Sequence, residues 1–319
     1  MKSFAVAIHG GAGVISSSIA EDRRREYLES LRAVLSCARE LLEAGGSALD
    51  VVTEAVRLLE DDSKFNAGLG AVFNVEGGHE LEAAIMEGAS GKSGAVAGLR
   101  MVKNPIVLAR MVMERSAHCF MMGEGAEGLA EEFGLERVEN RYFDTPHRLE
   151  QLRLFLAKRN ADCGVIDRGV IEDAGGGGGG GGEGGGTVGC VALDWDGHLA
   201  AATSTGGMTG KRVGRIGDSP IIGAGTFAKD GVCAVSATGR GEAFIQHGVA
   251  HEVAALVRYS GLSIEEAAHK VVHQQLEVGD GGLIAVGYSG EIALPFNSTG
   301  MFRGAADSDG LFEVRIWAE

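Results

Sequence analysis

A tract of glycine divides this sequence and limits how the chain can fold. Residues 175–182 and 184–186 are all glycine, and Glu183 is the one interruption. Glycine has no side chain to bury and loses the most conformational entropy on folding, so the tract predicts a mobile coil. The residues on its two sides must supply the strands and helices, either as two linked domains or as two parts of one domain.

The patterns on the two sides favour one shared domain. Before the tract we expect strands at 3–8, 70–73, 79–86 and 93–100 and helices at 21–43, 48–59, 105–114 and 147–158. After it we expect strands at 188–194, 198–203, 232–237, 282–288, 291–296 and 311–317 and helices at 240–259 and 264–277. Neither side shows the regular strand–helix alternation of a parallel sheet, and neither looks complete. We therefore predict an α+β fold, a four-layer αββα sandwich of two mainly antiparallel sheets covered by helices.

Short local signals fix several ends of these elements. Ser47 and Asp50 have the spacing of a helix cap, and Ser263 with Glu266 forms a second capping box. Pro105 and Pro146 each stand at the first position of a predicted helix. The pair at 196–197, Asp-Gly between two apolar runs, predicts a hairpin.

Composition excludes several classes of protein. The 29 Lys and Arg against 44 Asp and Glu give a net charge of −15, which argues against a nucleic-acid partner because phosphate binding draws on basic surfaces. No apolar run approaches the ~20 residues that span a bilayer, and the Phe4–Ile8 run is too short for a signal peptide, so we expect a cytoplasmic protein without membrane contact. Five cysteines, odd in number and far apart, predict reduced thiols: Cys37, Cys119, Cys163, Cys190 and Cys233.

Two further patterns resemble functional motifs, a metal site and an esterase oxyanion loop, but each has a simpler explanation or lacks its partner motif. His247 and His251, like His269 and His273, share a helix face at metal-ligand spacing, but surface or packing histidines explain such pairs more simply. The sequence His-Gly-Gly-Ala-Gly at 9–13 follows a strand as the oxyanion loop of esterases does, yet no Gly-x-Ser-x-Gly accompanies it. Its glycines still predict that the backbone approaches another group closely.

The junction at Gly186-Thr187 is the most informative segment. The glycine tract ends at a threonine that opens a buried strand. A threonine hydroxyl needs a base to act as a nucleophile. Cleavage of the Gly186–Thr187 bond would give Thr187 a free α-amine with a pKa of ~8, and one residue would then hold both nucleophile and base. On its own, however, this segment is better explained by an ordinary strand-opening threonine.

Later segments reverse that preference. Residues 203–209 gather hydroxyls and glycines at a strand end, and Ser236-Ala237-Thr238-Gly239 ends another strand. Arg215 and Asp218 lie three residues apart. Arginine binds a carboxylate through two parallel hydrogen bonds and aspartate accepts from an ammonium, so this pair suits the two ends of an α-amino acid. A local Arg–Asp salt bridge is the simpler alternative.

Together these segments resemble the plant-type (class III) L-asparaginase / isoaspartyl aminopeptidase family of N-terminal-nucleophile (Ntn) hydrolases. The resemblance covers nearly the whole chain and keeps both order and spacing. It is carried by residues 8–13, Phe65-Asn66-Ala67-Gly68, Gly186-Thr187-Val188-Gly189, 203–208, 214–220 and Thr238-Gly239.

The resemblance implies a role for each matching residue. Thr187 is the nucleophile, freed by autocatalytic cleavage after Gly186, and Thr205 hydrogen-bonds it. Arg215 holds the substrate α-carboxylate and Asp218 the α-amine, while Thr238 and the Gly239 amide form the oxyanion hole. Asn66 is expected near the scissile bond, where it assists maturation. A structural sodium ion is expected on the backbone carbonyls of Leu59, Glu60, Asp62, Phe65, Ala67 and Leu69, and residues 113–120 match a loop that binds potassium in some members.

The resemblance also implies the activity and assembly. The expected enzyme cleaves L-asparagine and β-aspartyl dipeptides, with an α subunit of 1–186 (linker 175–186) and a β subunit of 187–319 that together form one domain. Two such αβ pairs would form a dimer, the substrate is a small molecule, and the chemistry needs no cofactor. Two alternatives stay open: a glycosylasparaginase or protein-cleaving relative, and a non-catalytic two-domain binding protein joined by the glycine linker.

Overall fold

A computed structural model describes residues 3–162 and 186–318 of the chain. Of the coil predicted over 175–186, residues 175–185 lie outside the described residues, as does Cys163. The helices are α1 Glu21–Glu43, α2 Ala48–Glu60, α3 Pro105–Arg115, α4 Gly123–Glu132, α5 Pro146–Asp162, α6 Gly241–His247, α7 Val249–Ser260 and α8 Ile264–Lys270. The strands are β1 Ala5–Gly13, β2 Leu81–Glu87, β3 Ser93–Leu99, β4 Phe120–Met122, β5 Val188–Leu193, β6 Leu199–Thr205, β7 Thr226–Lys229, β8 Cys233–Gly239, β9 Gly281–Gly287, β10 Ile292–Ala293, β11 Gly300–Asp307 and β12 Phe312–Arg315.

The strands form two sheets. The larger has the order β12-β11-β1-β5-β6-β2-β3-β4, and the smaller has the order β10-β9-β8-β7. Among the strands that the structure describes, every pair is antiparallel except β3–β4. The larger sheet takes strands from both sides of the glycine tract, because β1 pairs with β5 and β2 pairs with β6. Neither side could complete this sheet alone, which explains why neither side of the sequence looks like a whole domain.

The apolar core has three layers. One cluster, which includes Val191, Ala234 and Ile284, fills the space between the two sheets. A second cluster packs helices α1 to α3 on the outer face of the larger sheet, and a third packs α6 to α8 on the outer face of the smaller sheet. Removal of this apolar surface from water holds the layers together. The predicted αββα arrangement is confirmed.

The local signals are confirmed where side chains cap helices. The Ser47 side chain accepts a hydrogen bond from the Asp50 amide (3.2 Å). Both bonds of the capping box between Ser263 and Glu266 are present. Thr145 Oγ1 accepts from the Arg148 amide at the start of α5 (3.2 Å). These bonds satisfy amides that have no partner within the helix.

Several element predictions are wrong. The segment 70–73 is not a strand but follows a 3₁₀ turn at Gly68–Gly70. The single helix predicted over 240–259 is two helices, because Gly248 (φ 57°) ends α6 in the left-handed conformation. Strand β1 continues through the segment 9–13, which was predicted to be a loop. The elements that the sequence patterns missed are β4, β7, β11 and α4. The helix predicted over 264–277 ends in a π-helical turn at Val271–Gln275, and the strand predicted over 291–296 shortens to β10.

No helix within residues 3–162 and 186–318 is long and apolar enough to cross a membrane.

Candidate active site

Thr187 lies at the open end of the β5–β6 hairpin, directly before β5. The register pairs Val188 with Ser204, so Thr187 comes opposite Thr205, the last residue of β6. Its Oγ1 donates a hydrogen bond to Thr205 Oγ1 (3.1 Å), and both side chains are buried. Thr205 Oγ1 also accepts from the Gly207 amide (3.0 Å). The two hydroxyls expected to act together are therefore in direct contact.

Gly186 lies against the glycine-rich end of β1. A bulge interrupts the β1–β11 register between His9 and Gly11. Gly11 has φ +111°, and a Cβ there would lie 1.9 Å from the Gly186 nitrogen, so only glycine fits. The close backbone approach predicted for this segment is therefore an approach to the residue that precedes Thr187.

Thr238, at the end of β8, closes the other side of this junction. Its Oγ1 accepts a hydrogen bond from the Ala12 amide (3.2 Å) and lies 3.5 Å from where a Cβ on Gly186 would be. The next residue, Gly239, passes so close to β9 that a Cβ there would lie 2.0 Å from the Asp280 carbonyl oxygen. The ends of β1, β5, β6 and β8 thus meet around the Gly186–Thr187 peptide.

Arg215 and Asp218 reach this place from the loop between β6 and β7. A Cβ on Gly241, at the start of α6, would lie 2.8 Å from Arg215 Nη2 and 3.0 Å from Asp218 Oδ1. Both side chains therefore converge on Gly241, which lies two residues after Gly239 in the sequence. The ion pair that Arg215 makes among the described residues is with Glu242, through Nε (3.0 Å) and Nη2 (2.8 Å), and not with Asp218.

Asp218 is a buried acid with an unused acceptor. Its Oδ2 has no hydrogen-bond partner among the described residues. Burial raises the pKa of its carboxyl group to about 7, although the nearby Arg215 charge opposes that rise. A buried carboxylate oxygen without a donor is destabilising, and a ligand ammonium would supply the missing donor.

Asn66 supports the segment that follows Thr205. Its Nδ2 donates to the Gly207 carbonyl (2.7 Å), and its Oδ1 accepts from the Val72 amide (2.9 Å). Its carbonyl accepts from the Gly206 amide (3.1 Å). The hydrogen bonds described for residues 3–162 and 186–318 do not join the Asn66 side chain to Gly186 or Thr187. The structure therefore places Asn66 behind the Thr205–Gly207 turn.

A buried ion pair that sequence reasoning missed anchors the loop that carries Arg215 and Asp218. Lys211 Nζ donates to Glu82 Oε1 (3.0 Å) and to the Glu80 carbonyl (2.9 Å), and the side chains of Lys211 and Glu82 are each 1% exposed. Glu82 Oε2 accepts from the Gly217 amide (2.9 Å). The available signal was a pair of acidic residues at 80 and 82, at the start of a run that is otherwise apolar from Leu81 to Met86.

In and beside the expected cation loop, residues 59–69, two glycines lie against backbone carbonyl oxygens. A Cβ on Gly68 would lie 2.3 Å from the Glu60 carbonyl oxygen, and one on Gly70 would lie 2.0 Å from the Phe65 carbonyl oxygen. The Asp62 and Ala67 carbonyls already accept amides of the same loop. Such an all-oxygen donor set fits a hard cation.

The Glu60 side chain connects this loop to β6, the strand that ends at Thr205. Its Oε1 accepts from Ser204 Oγ (2.6 Å) and from the Ile106 amide (3.0 Å), while Oε2 is buried and has no partner among the described residues. Burial raises the pKa of this carboxyl group to about 8, against the effect of the Ser204 hydrogen bond. A nearby cation would offset that burial cost, so these residues fit the expected ion.

Sequence comparison agrees with this geometry. The sequence profile of the asparaginase family matches residues 2–316. The chain belongs to the asparaginase family. Within it, the chain is 50% identical over 306 residues to an isoaspartyl peptidase of Escherichia coli (strain K12), covering 95% of this chain and 92% of that protein. It is 42% identical over 326 residues to a probable isoaspartyl peptidase/L-asparaginase 2 of Arabidopsis thaliana, covering 99% and 100%. A putative isoaspartyl peptidase/L-asparaginase of Dictyostelium discoideum is 45% identical over 323 residues, covering 95% and 93%.

Proposed function

We propose that this chain is an N-terminal threonine hydrolase that converts L-asparagine to L-aspartate and ammonia and hydrolyses β-aspartyl dipeptides. The observation that best supports this proposal is the contact between the Thr187 and Thr205 hydroxyls (3.1 Å), beside Gly186 and Thr238. The names of the relatives, isoaspartyl peptidase and L-asparaginase, give the same reaction. Both substrates present a free aspartyl α-amine and α-carboxylate, which match Asp218 and Arg215.

Maturation would begin at the Gly186 carbonyl. Thr187 Oγ1 attacks the carbonyl carbon, the C–N bond to Thr187 breaks, and the nitrogen takes up a proton to become a free amine. The resulting ester between Gly186 and Thr187 is then hydrolysed by water. The products are an α subunit that ends at Gly186 and a β subunit, 187–319, that begins at Thr187. They would stay associated because β1 and β5 are neighbours in one sheet.

Substrate hydrolysis would use the same hydroxyl. The α-amine of Thr187 takes the Oγ1 proton as Oγ1 attacks the side-chain amide carbon of the substrate. The tetrahedral oxyanion is stabilised by Thr238 Oγ1 and the Gly239 amide. Ammonia, or the amino acid of a dipeptide, leaves with the proton, and water then cleaves the acyl ester on Thr187.

Recognition would depend on Arg215 and Asp218. Arg215 binds the substrate α-carboxylate, and Glu242, already bonded to the guanidinium, holds it in place. Asp218 accepts from the α-ammonium through its unpartnered Oδ2. Asn66 would assist both steps indirectly by fixing the turn that follows Thr205.

We also propose the ion and the assembly that the family resemblance implies. A sodium ion would be held by the carbonyls of Leu59, Glu60, Asp62, Phe65, Ala67 and Leu69, where it stiffens the loop joined through Glu60 to β6. Potassium at residues 113–120 and a dimer of αβ pairs belong to the same proposal. Light scattering of the mature protein tests the assembly.

Intact-mass analysis and a substrate panel test the proposal. The mature protein should give two chains, one ending at Gly186 and one starting at Thr187, while Thr187→Ala should stay a single chain. L-asparagine and β-aspartyl-leucine should be hydrolysed, and GlcNAc-asparagine should not. A strong preference for GlcNAc-asparagine would favour the glycosylasparaginase alternative. A single inactive wild-type chain would favour the two-domain binding protein.

A further inference from the structure

A chain of buried hydrogen bonds runs between the two sheets and ends on Thr187. His9 on β1 bonds to the Thr187 carbonyl through Nδ1 (2.9 Å) and to Ser236 Oγ through Nε2 (2.9 Å). Ser236 contacts Thr203 Oγ1 (2.7 Å), which contacts Thr226 Oγ1 (2.7 Å). All four of these side chains are fully buried, and each comes from a different strand.

The direction of each bond follows from counting protons. A carbonyl oxygen only accepts, so His9 Nδ1 carries a proton and donates to Thr187. Burial lowers the pKa of His9 to about 3, against the effect of that bond, so the ring is neutral and Nε2 accepts from Ser236. Ser236 has then used its one proton, so Thr203 donates to Ser236 and Thr226 donates to Thr203. With a neutral ring, this arrangement alone gives a proton to each of the four contacts between the Thr187 carbonyl and Thr226. The Thr203 and Thr226 hydroxyls then share their protons with the Gly225 (3.3 Å) and Ser219 (3.0 Å) carbonyls.

Gly189 makes room for this chain. It lies opposite His9 in the β1–β5 register. A Cβ on Gly189 would lie 2.0 Å from Ser236 Oγ and 2.4 Å from His9 Nε2. Its backbone adopts an ordinary strand conformation, so the glycine is required by the His9–Ser236 bond rather than by a turn.

The bond to the carbonyl controls the orientation of the mature terminus. After cleavage, Thr187 has no preceding peptide, and terminal residues lose order unless they are held. Holding its carbonyl fixes rotation about the Cα–C bond of Thr187, which directs the amine and the side chain. Oγ1 is then aligned with Thr205 before a substrate arrives. Near a reacting centre, a misplacement of ~1 Å costs ~10²-fold in rate.

We infer that His9, locked as its Nδ1–H form by Ser236, Thr203 and Thr226, is a positioning residue that orients Thr187 for both maturation and turnover. The inference rests on the proposed function of Thr187. It assigns His9 no contact with substrate. Its loss should therefore lower kcat and leave KM unchanged, because Arg215 and Asp218 are untouched.

Two substitutions at one position separate this role from simple packing. The amide nitrogen of an asparagine occupies the place of Nδ1, whereas that of a glutamine occupies the place of Nε2. His9→Asn therefore keeps a donor for Thr187, and His9→Gln keeps only the contact with Ser236. We expect His9→Gln to lower kcat for L-asparagine ~10²-fold, with cleavage slowed in parallel. His9→Asn should retain at least a tenth of wild-type kcat.

His79 provides the matched control. It is equally buried, and its ring bonds the Val72 carbonyl (3.1 Å) and Asp144 (3.0 Å). His79→Asn and His79→Gln should lower Tm without lowering kcat. Ser236→Ala keeps the His9 ring and should lower kcat with KM unchanged. This variant tests the inference even if a His9 variant fails to fold.

The inference is overturned if His9→Asn and His9→Gln lose kcat equally, or if the glutamine variant is the more active. It is also overturned if Ser236→Ala lowers Tm but leaves kcat at the wild-type value. Failure of the proposed function looks different, because wild type would then not hydrolyse L-asparagine or Thr187→Ala would remain active.

Discussion

The buried carboxyl of Asp218 predicts how ligand binding changes with pH. Its pKa is raised from 3.8 to about 7, chiefly by burial. Arg215 opposes that rise, while Glu82 and Glu242 add to it. Because the folded pKa lies above the unfolded value, the unliganded protein loses stability as pH rises from about 4 to about 7. A ligand ammonium at Oδ2 would offset that cost.

Binding of L-aspartate, the proposed product, needs Asp218 ionised and the ligand ammonium charged. Below pH 7 the site must first lose a proton, so affinity falls by about tenfold for each pH unit. From pH 8 to pH 5 the dissociation constant for L-aspartate should rise by about 100-fold. Isothermal titration calorimetry on the mature protein measures this directly.

Succinate is the matched control ligand. It keeps both carboxylates of L-aspartate and lacks the ammonium, so the ionisation of Asp218 should not strengthen its binding. Because the carboxyl groups of succinate themselves take up protons near pH 5, the two ligands are compared between pH 6 and pH 8. In the ratio of the two dissociation constants, the effects of other protein groups that titrate over this range cancel, including that of the Thr187 amine. Asp218→Asn should give a ratio that does not change with pH. The wild-type ratio should change about tenfold between pH 8 and pH 6. A wild-type ratio that stays constant over that range, or an unaltered pH dependence in Asp218→Asn, would refute the reasoning.

Three further predictions concern single contacts. Thr205→Val keeps the side-chain shape and the strand propensity but removes the hydroxyl, so the rate of chain cleavage and kcat should both fall ~10²- to 10³-fold. Thr205→Ser should recover part of each rate. Near-wild-type values of both rates in Thr205→Val would make Thr205 a structural residue. Arg215→Ala should abolish hydrolysis of L-asparagine yet still give two chains on a denaturing gel, and failure to cleave would mean that Arg215 serves maturation instead. Lys211→Met leaves Glu82 buried and unpaired, which should cost ~3–5 kcal/mol of stability. Chemical denaturation in the Thr187→Ala background measures that cost, and adding Glu82→Gln should restore part of it; an unchanged midpoint for Lys211→Met would contradict the prediction.

Features that depend on neighbours along the chain could be predicted from the order of the residues. The capping residues Ser47 and Ser263 start the helices they were predicted to start. The Asp196-Gly197 turn joins β5 to β6 as expected, and that hairpin brings Thr187 to Thr205. Each of these signals acts across a few residues or across one hairpin, which is the range in which side-chain chemistry and strand register can be read from sequence.

Contacts between distant segments could not be predicted in this way, because they depend on the packing of the folded chain. The order of strands in two facing sheets brings His9 to Ser236, although 227 residues separate them, and sets Gly11 against Gly186. The same packing pairs Arg215 with Glu242 rather than with Asp218, so the buried Asp218 Oδ2 keeps an acceptor for a ligand. These contacts depend on how whole layers pack, and the burial that raises the pKa of Asp218 exists only once those layers have closed.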